Sequence, residues 1–161
     1  MISPTKQFAI LLVASAIVVG CAAPVAVPSL ADLEIVKDVA ATQSEELPAI
    51  QPGRSTFHAT DPATVVLASG KVQFVEFFAY WCTVCKAMAP TVHGLENIYS
   101  ADVTFVYLDR DDPATAAFQE QLGYIYQPHF FLIDANGQIL GEWRGYVEGE
   151  VLQQAIVASL Q

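Results

Sequence analysis

The sequence predicts an α/β domain over residues 56–161, a central mixed β-sheet flanked by helices. Three observations predict it. Val72 to Phe78 (VQFVEFF) is a near-continuous apolar run rich in β-branched and aromatic residues, the pattern of a strand buried on both faces. A helical repeat of apolar residues follows, then a second β-type run from Val103 to Leu108. One strand–helix–strand unit implies a parallel pair joined by a right-handed crossover. Two more β-type runs flank Ala135-Asn136-Gly137, a hairpin signal, and a hairpin added to a parallel pair makes the sheet mixed.

The elements follow in order. Asp61-Pro62 supplies a helix cap and a first-turn proline, so a helix is expected from there to about Ala68, stopped by Ser69-Gly70. The first strand should be central. Val84, Ala87, Met88, Val92, Leu95, Ile98 and Tyr99 recur at helical spacing, so a helix runs from about Cys82 to Tyr99, with Pro90 expected to kink it. Asp112-Pro113 opens another helix, which Gly123 ends. His129–Asp134 and Gln138–Trp143 form the hairpin, and Glu148–Leu160 closes the chain as an amphipathic helix with Val151, Leu152, Ala155, Ile156 and Leu160 on one face. Phe77, Phe78, Phe105, Phe130 and Phe131 are assigned to the core. The sequence shows no internal repeat.

Composition narrows the function classes. The chain has 161 residues, 53% of them hydrophobic, enough for one ordinary core and too short for two. With 17 acidic against 7 basic residues it carries a formal charge of -10. No Lys or Arg cluster offers phosphate backbones a footprint, so nucleic acid is not an expected partner.

Residues 1–20 read as an export signal. Phe8 to Val19 carries no charge, and Val18-Val19-Gly20-Cys21 resembles the lipobox at which bacterial prolipoproteins are cut. Cys21 would then be the lipidated first residue of the exported chain. The second reading is an uncleaved anchor, since Phe8 to Val27 is uncharged and long enough to span a bilayer; the third is plain secretion. Residues 21–55 hold no sustained periodicity and read as a flexible tether, with at most a short helix near Leu30–Val39. The expected location is extracytoplasmic and membrane-attached.

The chemistry centres on Trp81-Cys82-Thr83-Val84-Cys85-Lys86. Two Cys three residues apart, where a buried strand turns into a helix, come within disulfide reach after one helical turn. Cys82 lies at the helix start, near unpaired N–H groups and the positive end of the helix dipole, which stabilises its thiolate. Cys85, one turn in, should be more buried. Cys82 is therefore the attacking sulfur and Cys85 the one that resolves a mixed disulfide. A structural staple is disfavoured because so short a loop closes almost nothing. Metal binding is disfavoured because the pair offers two ligands where zinc wants four. His129 could approach the pair, whereas His93 and His58 read as surface residues. Asp109-Arg110-Asp111-Asp112 lacks the Gly and Glu that a calcium loop needs, and reads as a solvated loop with a helix cap.

The run VEFFAYWCTVCK, followed by Pro90, Pro128 and Gly145, resembles the thioredoxin superfamily from Asp61 to Gln161. It is most similar to the membrane-tethered thioredoxin-like proteins of bacterial envelopes and thylakoids, several of which serve cytochrome maturation. The resemblance implies a thioredoxin-like fold and a protein-disulfide oxidoreductase that acts by dithiol exchange without cofactor or metal. It implies that Glu76 is the buried acid beneath Cys85, where desolvation would let it take a proton near neutral pH; the competing reading is an edge-strand carboxylate facing water. It implies that Pro128 is in cis and that Trp81, Thr83, Val84, Gln127 and Gly145 contact substrate. Gln127 stands where the family usually has an aliphatic residue or Thr, and Tyr107 replaces a Lys near the buried acid. Thr83-Val84 is neither Gly-Pro nor Pro-His, and without a His between the Cys residues the reading leans to a reductant fed by a membrane thiol-electron donor. The alternatives are a disulfide oxidase or isomerase on the same residues, or a copper-binding adaptor.

Overall fold

The structure, a computed structural model, describes residues 46–161. The elements are β1 (Val72–Phe78), α1 (Thr83–Tyr99), β2 (Val103–Asp109), α2 (Ala116–Leu122), β3 (His129–Ile133), β4 (Ile139–Arg144) and α3 (Gly149–Ser159), with single 3-10 turns at Pro62–Thr64 and Pro113–Thr115. The sheet order is β2-β1-β3-β4. β1 and β2 are parallel, and the β1–β3 and β3–β4 pairs are antiparallel, so the mixed sheet and the central position of β1 agree with the sequence. Residues 1–45, with the expected export signal, Cys21 and most of the tether, lie outside the described residues.

Alternation along β1 divides the interior in two. Phe74 and Phe78 join Met88 and Leu95 of α1, Phe130 and Leu132 of β3, and Leu152 and Ile156 of α3. Val75 and Phe77 turn the other way, to Val106, Leu108, Leu122, Phe131 and Ile133. Each such side chain contributes about 1.5–3 kcal/mol of burial. Phe105 is only partly buried, packed against the first cluster beside Phe74.

Two expectations change. The helix predicted from Asp61 to Ala68 is a single 3-10 turn, although Asp61 does cap it by accepting the Ala63 N–H at 3.0 Å. Chain beyond Val65 cannot continue the helix because the Gln73 side chain takes the carbonyls of Val66 and Leu67, at 3.0 and 2.7 Å, and Leu67 is drawn into the second core. Similarly, the segment 46–55, read as the end of the tether, lies along α1 and α3 as an extended strap. Gly53 N–H donates to Pro90 O at 2.7 Å, and Gln153 Nε2 donates to Pro48 O at 2.8 Å. Gly94 has no Cβ to obstruct the strap; a methyl there would collide with Gln51 O. α1 is continuous through Pro90, whose carbonyl serves the strap. Beyond the strap, Phe57 stacks on Phe78 with ring centroids 4.2 Å apart.

Candidate active site

Register brings four loops to one end of the sheet. Phe78 pairs with Asp109, Phe77 with His129, and His129 with Arg144, so the chain leaving β1, the chain leaving β2, the chain entering β3 and the chain leaving β4 all meet there. These loops carry Trp81–Cys82, Asp109–Asp112, Gln127–Pro128 and Gly145.

Cys82 and Cys85 form a disulfide, with Cα atoms 5.3 Å apart. Cys82 is the N-cap of α1, and its Sγ accepts the Cys85 backbone N–H at 3.0 Å. A donor aimed at sulfur, added to the helix dipole, favours the thiolate once the disulfide opens. Both residues are buried, but Cys82 keeps 6% of its surface exposed while Cys85 keeps none, so Cys82 is the nearer of the two to solvent. Thr83 and Val84 between them are exposed.

Glu76 is fully buried in the middle of the central strand, which removes the edge-strand alternative. It shares strand parity with Phe74 and Phe78 and so faces the side of the sheet that holds Cys85. Its partners across the ladder are Tyr107 and Phe130, both in that cluster. Neither carboxyl oxygen has a hydrogen-bond partner among the described residues, and burial raises its pKa well above the ordinary carboxyl value. A neutral carboxyl in an apolar cluster is equipped to give one proton and, once ionised, to take one back.

Tyr107, in the place of the expected Lys, is buried, and its hydroxyl donates to Glu96 Oε2 at 3.1 Å. Burial, followed by the Glu96 and Glu76 carboxyls, raises its pKa far beyond the range in which a phenol ionises. The cation on this side comes from the strap: Arg54 lies over the Tyr107 ring, 5.6 Å from its centroid, and pairs with Glu96 at 3.2 Å. The strap also buries His93, read from the sequence as a surface residue. Its Nδ1 lies 2.5 Å from Arg54 O, and burial leads the lowering of its pKa.

Gln127–Pro128 is a cis peptide bond. Pro128 is buried, its carbonyl accepts the Gly145 N–H at 2.8 Å, and Gly145 adopts a left-handed φ of 72°. Gln127 is half-buried and takes the Tyr124 hydroxyl on its Oε1 at 2.5 Å. Trp81 is 62% exposed, its Nε1–H donating to Asp111 Oδ2 at 2.6 Å. Sequence reasoning treated Asp111 as solvent-facing loop and missed this support for Trp81. It also passed over Ile125, Tyr126 and Tyr146, which stand exposed on the loops beside Gln127 and Gly145. Three large apolar side chains next to a turn proline and a turn glycine were the available signal.

His129 does not approach the Cys pair as expected. It shares strand parity with Phe131 and faces the opposite side of the sheet, held by Glu142 at 2.8 Å. His58 is exposed, as expected. Among the described residues no three His, Cys, Asp or Glu side chains are grouped to hold a metal ion.

Comparison with known proteins agrees with this geometry. The family model described as Thioredoxin matches residues 56–158. The chain is 33% identical over 99 residues to the "Thioredoxin-like protein HCF164, chloroplastic" of Arabidopsis thaliana, covering 62% of this chain and 36% of that one. It is 36% identical over 99 residues to the "Thiol:disulfide interchange protein TxlA homolog" of Synechocystis, covering 60% and 54% respectively. It thus spans between about a third and about half of the length of these relatives. Among solved structures, thioredoxin NaTrxh from Nicotiana alata aligns with a TM-score of 0.50 at 27% identity, over 57% of this chain and 76% of that one.

Proposed function

Since the chain belongs to the thioredoxin family, we propose that it is a thiol-disulfide oxidoreductase that reduces protein disulfides from a membrane-attached, extracytoplasmic position. The observation that carries the reading is the asymmetry of the pair. One Cys, at a helix N-cap, keeps a little exposed surface and its sulfur takes an N–H bond, while the other is fully buried on the side faced by a protonatable carboxyl.

The reaction starts from the reduced pair. Cys82 thiolate attacks one sulfur of the substrate disulfide, forming a mixed disulfide and expelling the other substrate sulfur as thiolate. Glu76 gives its proton to the expelled substrate thiolate, the carboxylate so formed takes the Cys85 proton, and the Cys85 thiolate then attacks Cys82 Sγ. The Cys82–Cys85 bond forms, the mixed disulfide breaks, and the second substrate thiolate leaves. Two electrons have passed from the dithiol to the substrate. A membrane dithiol of the donor class returns them by the reverse exchange, so no other cofactor is needed. The loops carrying Trp81, Gln127–Pro128 and Gly145 converge on the sheet end from which Cys82 emerges, and there they are suited to hold an extended polypeptide.

Location and substrate rest on sequence. The apolar stretch before Gly20-Cys21 supports lipid attachment at Cys21, and the likeness to envelope and thylakoid proteins supports haem-attachment Cys pairs of c-type apocytochromes as substrates. A Cys85→Ala trap in native membranes tests donor and substrate together: partners should be captured as mixed disulfides on Cys82. Equilibration with glutathione and dithiothreitol buffers tests direction. A potential near the strong-oxidant end, about -120 mV, would replace the reductase with an oxidase.

A further inference from the structure

His129 takes no part in the exchange steps above, yet it is fully buried, directly follows Pro128 and is the only His on the opposite face of the described sheet. Its ring joins two elements. Nδ1 faces the backbone N–H of Ile125 at 3.4 Å, in the loop that ends at Pro128. Nε2 faces Glu142 Oε1 at 2.8 Å and Arg144 Nε at 3.2 Å, both on β4. Arg144 Nε–H also points at Nε2, so no one state of the ring serves all three neighbours; the state that serves both Glu142 and Ile125 leaves Arg144 to its own pair with Glu142. With its proton on Nε2, the neutral imidazole donates to Glu142 and leaves a lone pair on Nδ1 for Ile125. A second proton would set Nδ1–H against the Ile125 N–H.

We propose that His129 is a positioning residue, fixing the Tyr124–Pro128 loop to β4 so that the loop presents a set groove to polypeptide substrates. Four hydrogen bonds hold that loop: Tyr124 N–H to Gln119 O, the Tyr124 hydroxyl to Gln127, Gly145 to Pro128, and Ile125 to His129. The last alone ends on an imidazole, which a proton can switch off on the acid side of neutral. Releasing it frees Ile125 and Tyr126, which are 62% and 52% exposed and flank Gln127.

The surroundings decide when that happens. From β4, Glu142 favours the charged ring and Arg144 opposes it; from β3, the Phe131 ring lies tilted at 4.1 Å; from the loop, Tyr124 lies at 5.9 Å with Arg110 over its own ring at 5.8 Å; from β1, the paired residue is Phe77. Burial comes first among the influences and lowers the His129 pKa, so the tie holds at neutral pH and opens on acidification below about pH 6.5.

The test uses the full chain between pH 4.5 and 8. Nuclear magnetic resonance should show the Ile125 amide shifting with the same midpoint as the His129 ring. The kcat/KM for reduction of fluorescently labelled insulin, divided by the rate of Cys82 alkylation by iodoacetamide, should fall about fivefold across that midpoint, the scale of one lost hydrogen bond. Dividing by alkylation removes the thiol's own ionisation. His129→Asn places an amide oxygen near Nδ1 and should hold the high ratio flat over the whole range. His129→Gln lacks an acceptor there and should sit at the low ratio throughout. An Ile125 amide indifferent to the His129 midpoint would overturn the proposal, as would a fivefold fall that persists in His129→Asn. The amide titration needs no variant and decides the matter even if both variants fold poorly. Inertness toward insulin would instead count against the exchange reading on which the kinetic arm rests, leaving the amide titration to judge the role of His129.

Discussion

Replacing Glu76 by Leu tests whether a carboxyl stays protonated inside the first core. The group is fully buried and without a partner among the described residues, and burial alone holds its pKa well above normal. In the unfolded chain it ionises near pH 4.3. Below that, both states keep the proton and the group adds no pH dependence. Above it, the unfolded chain releases the proton while the native state keeps it until its own raised pKa is reached. Native stability therefore falls as pH rises through that window and levels off beyond it. One carboxyl exchanges one proton, so the slope reaches at most about 1.4 kcal/mol per pH unit. Leu has nearly the same volume and no proton to lose. The stability difference, Glu76→Leu minus wild type, should be smallest at pH 4 and widen with up to that slope. Glu76→Gln should follow the same profile from a lower starting point, because its buried amide brings donors with no acceptor. The assay is urea unfolding of the oxidised protein, in which neither Cys82 nor Cys85 titrates, at half-unit steps from pH 4 to pH 8. Wild-type and Leu curves that run parallel would refute the argument, since the carboxyl would then ionise alike in both states.

Further outcomes concern the strap and the sulfurs. Phe57→Ala should cost about 3 kcal/mol in urea unfolding, because Phe57 is buried and stacked on Phe78 although it lies before the first regular element. Gly94→Ala reverses a general rule: alanine stabilises an ordinary helix interior by about 1 kcal/mol, but here its methyl would meet Gln51 O and Ile50. It should destabilise the protein and expose residues 46–55 to limited proteolysis, read by mass spectrometry. In the reduced protein at pH 7, Cys82 should be alkylated at least about tenfold faster than Cys85, measured by peptide mapping; similar slow rates would remove the basis for an attacking sulfur.

Much of this was legible in the sequence because the signals were local. β1 is a seven-residue strand, apolar but for Gln73 and Glu76 and buried at nearly every position, and α1 announces itself by apolar spacing and a Cys at its cap. The site cysteines were readable for the same reason, since a strand, a turn and a helix start fix their geometry within ten residues. What failed depended on distant contacts. The Asp61-Pro62 signal was genuine, but Gln73 claimed the carbonyls that the next helical turn would have used. His93 sits on a helix face that would be open in a bare domain and is covered by Arg54 and its neighbours. The strap itself has no apolar period because it binds largely through main-chain groups and glycine clearance. The facing of His129 followed from strand parity, which a register with Phe77 settles and a residue count alone does not.

The strap also bears on mechanical load. A pull arriving from residues 1–45 meets the Pro48–Gln153 bond and then the Gly53–Pro90 bond before it can act on Phe57 or on the strand that leads to Cys82. Both clips grip helices, and both lie ahead of the sheet in the chain. Tension from that side would therefore fall first on two hydrogen bonds to α1 and α3, ahead of the strand that leads to Cys82.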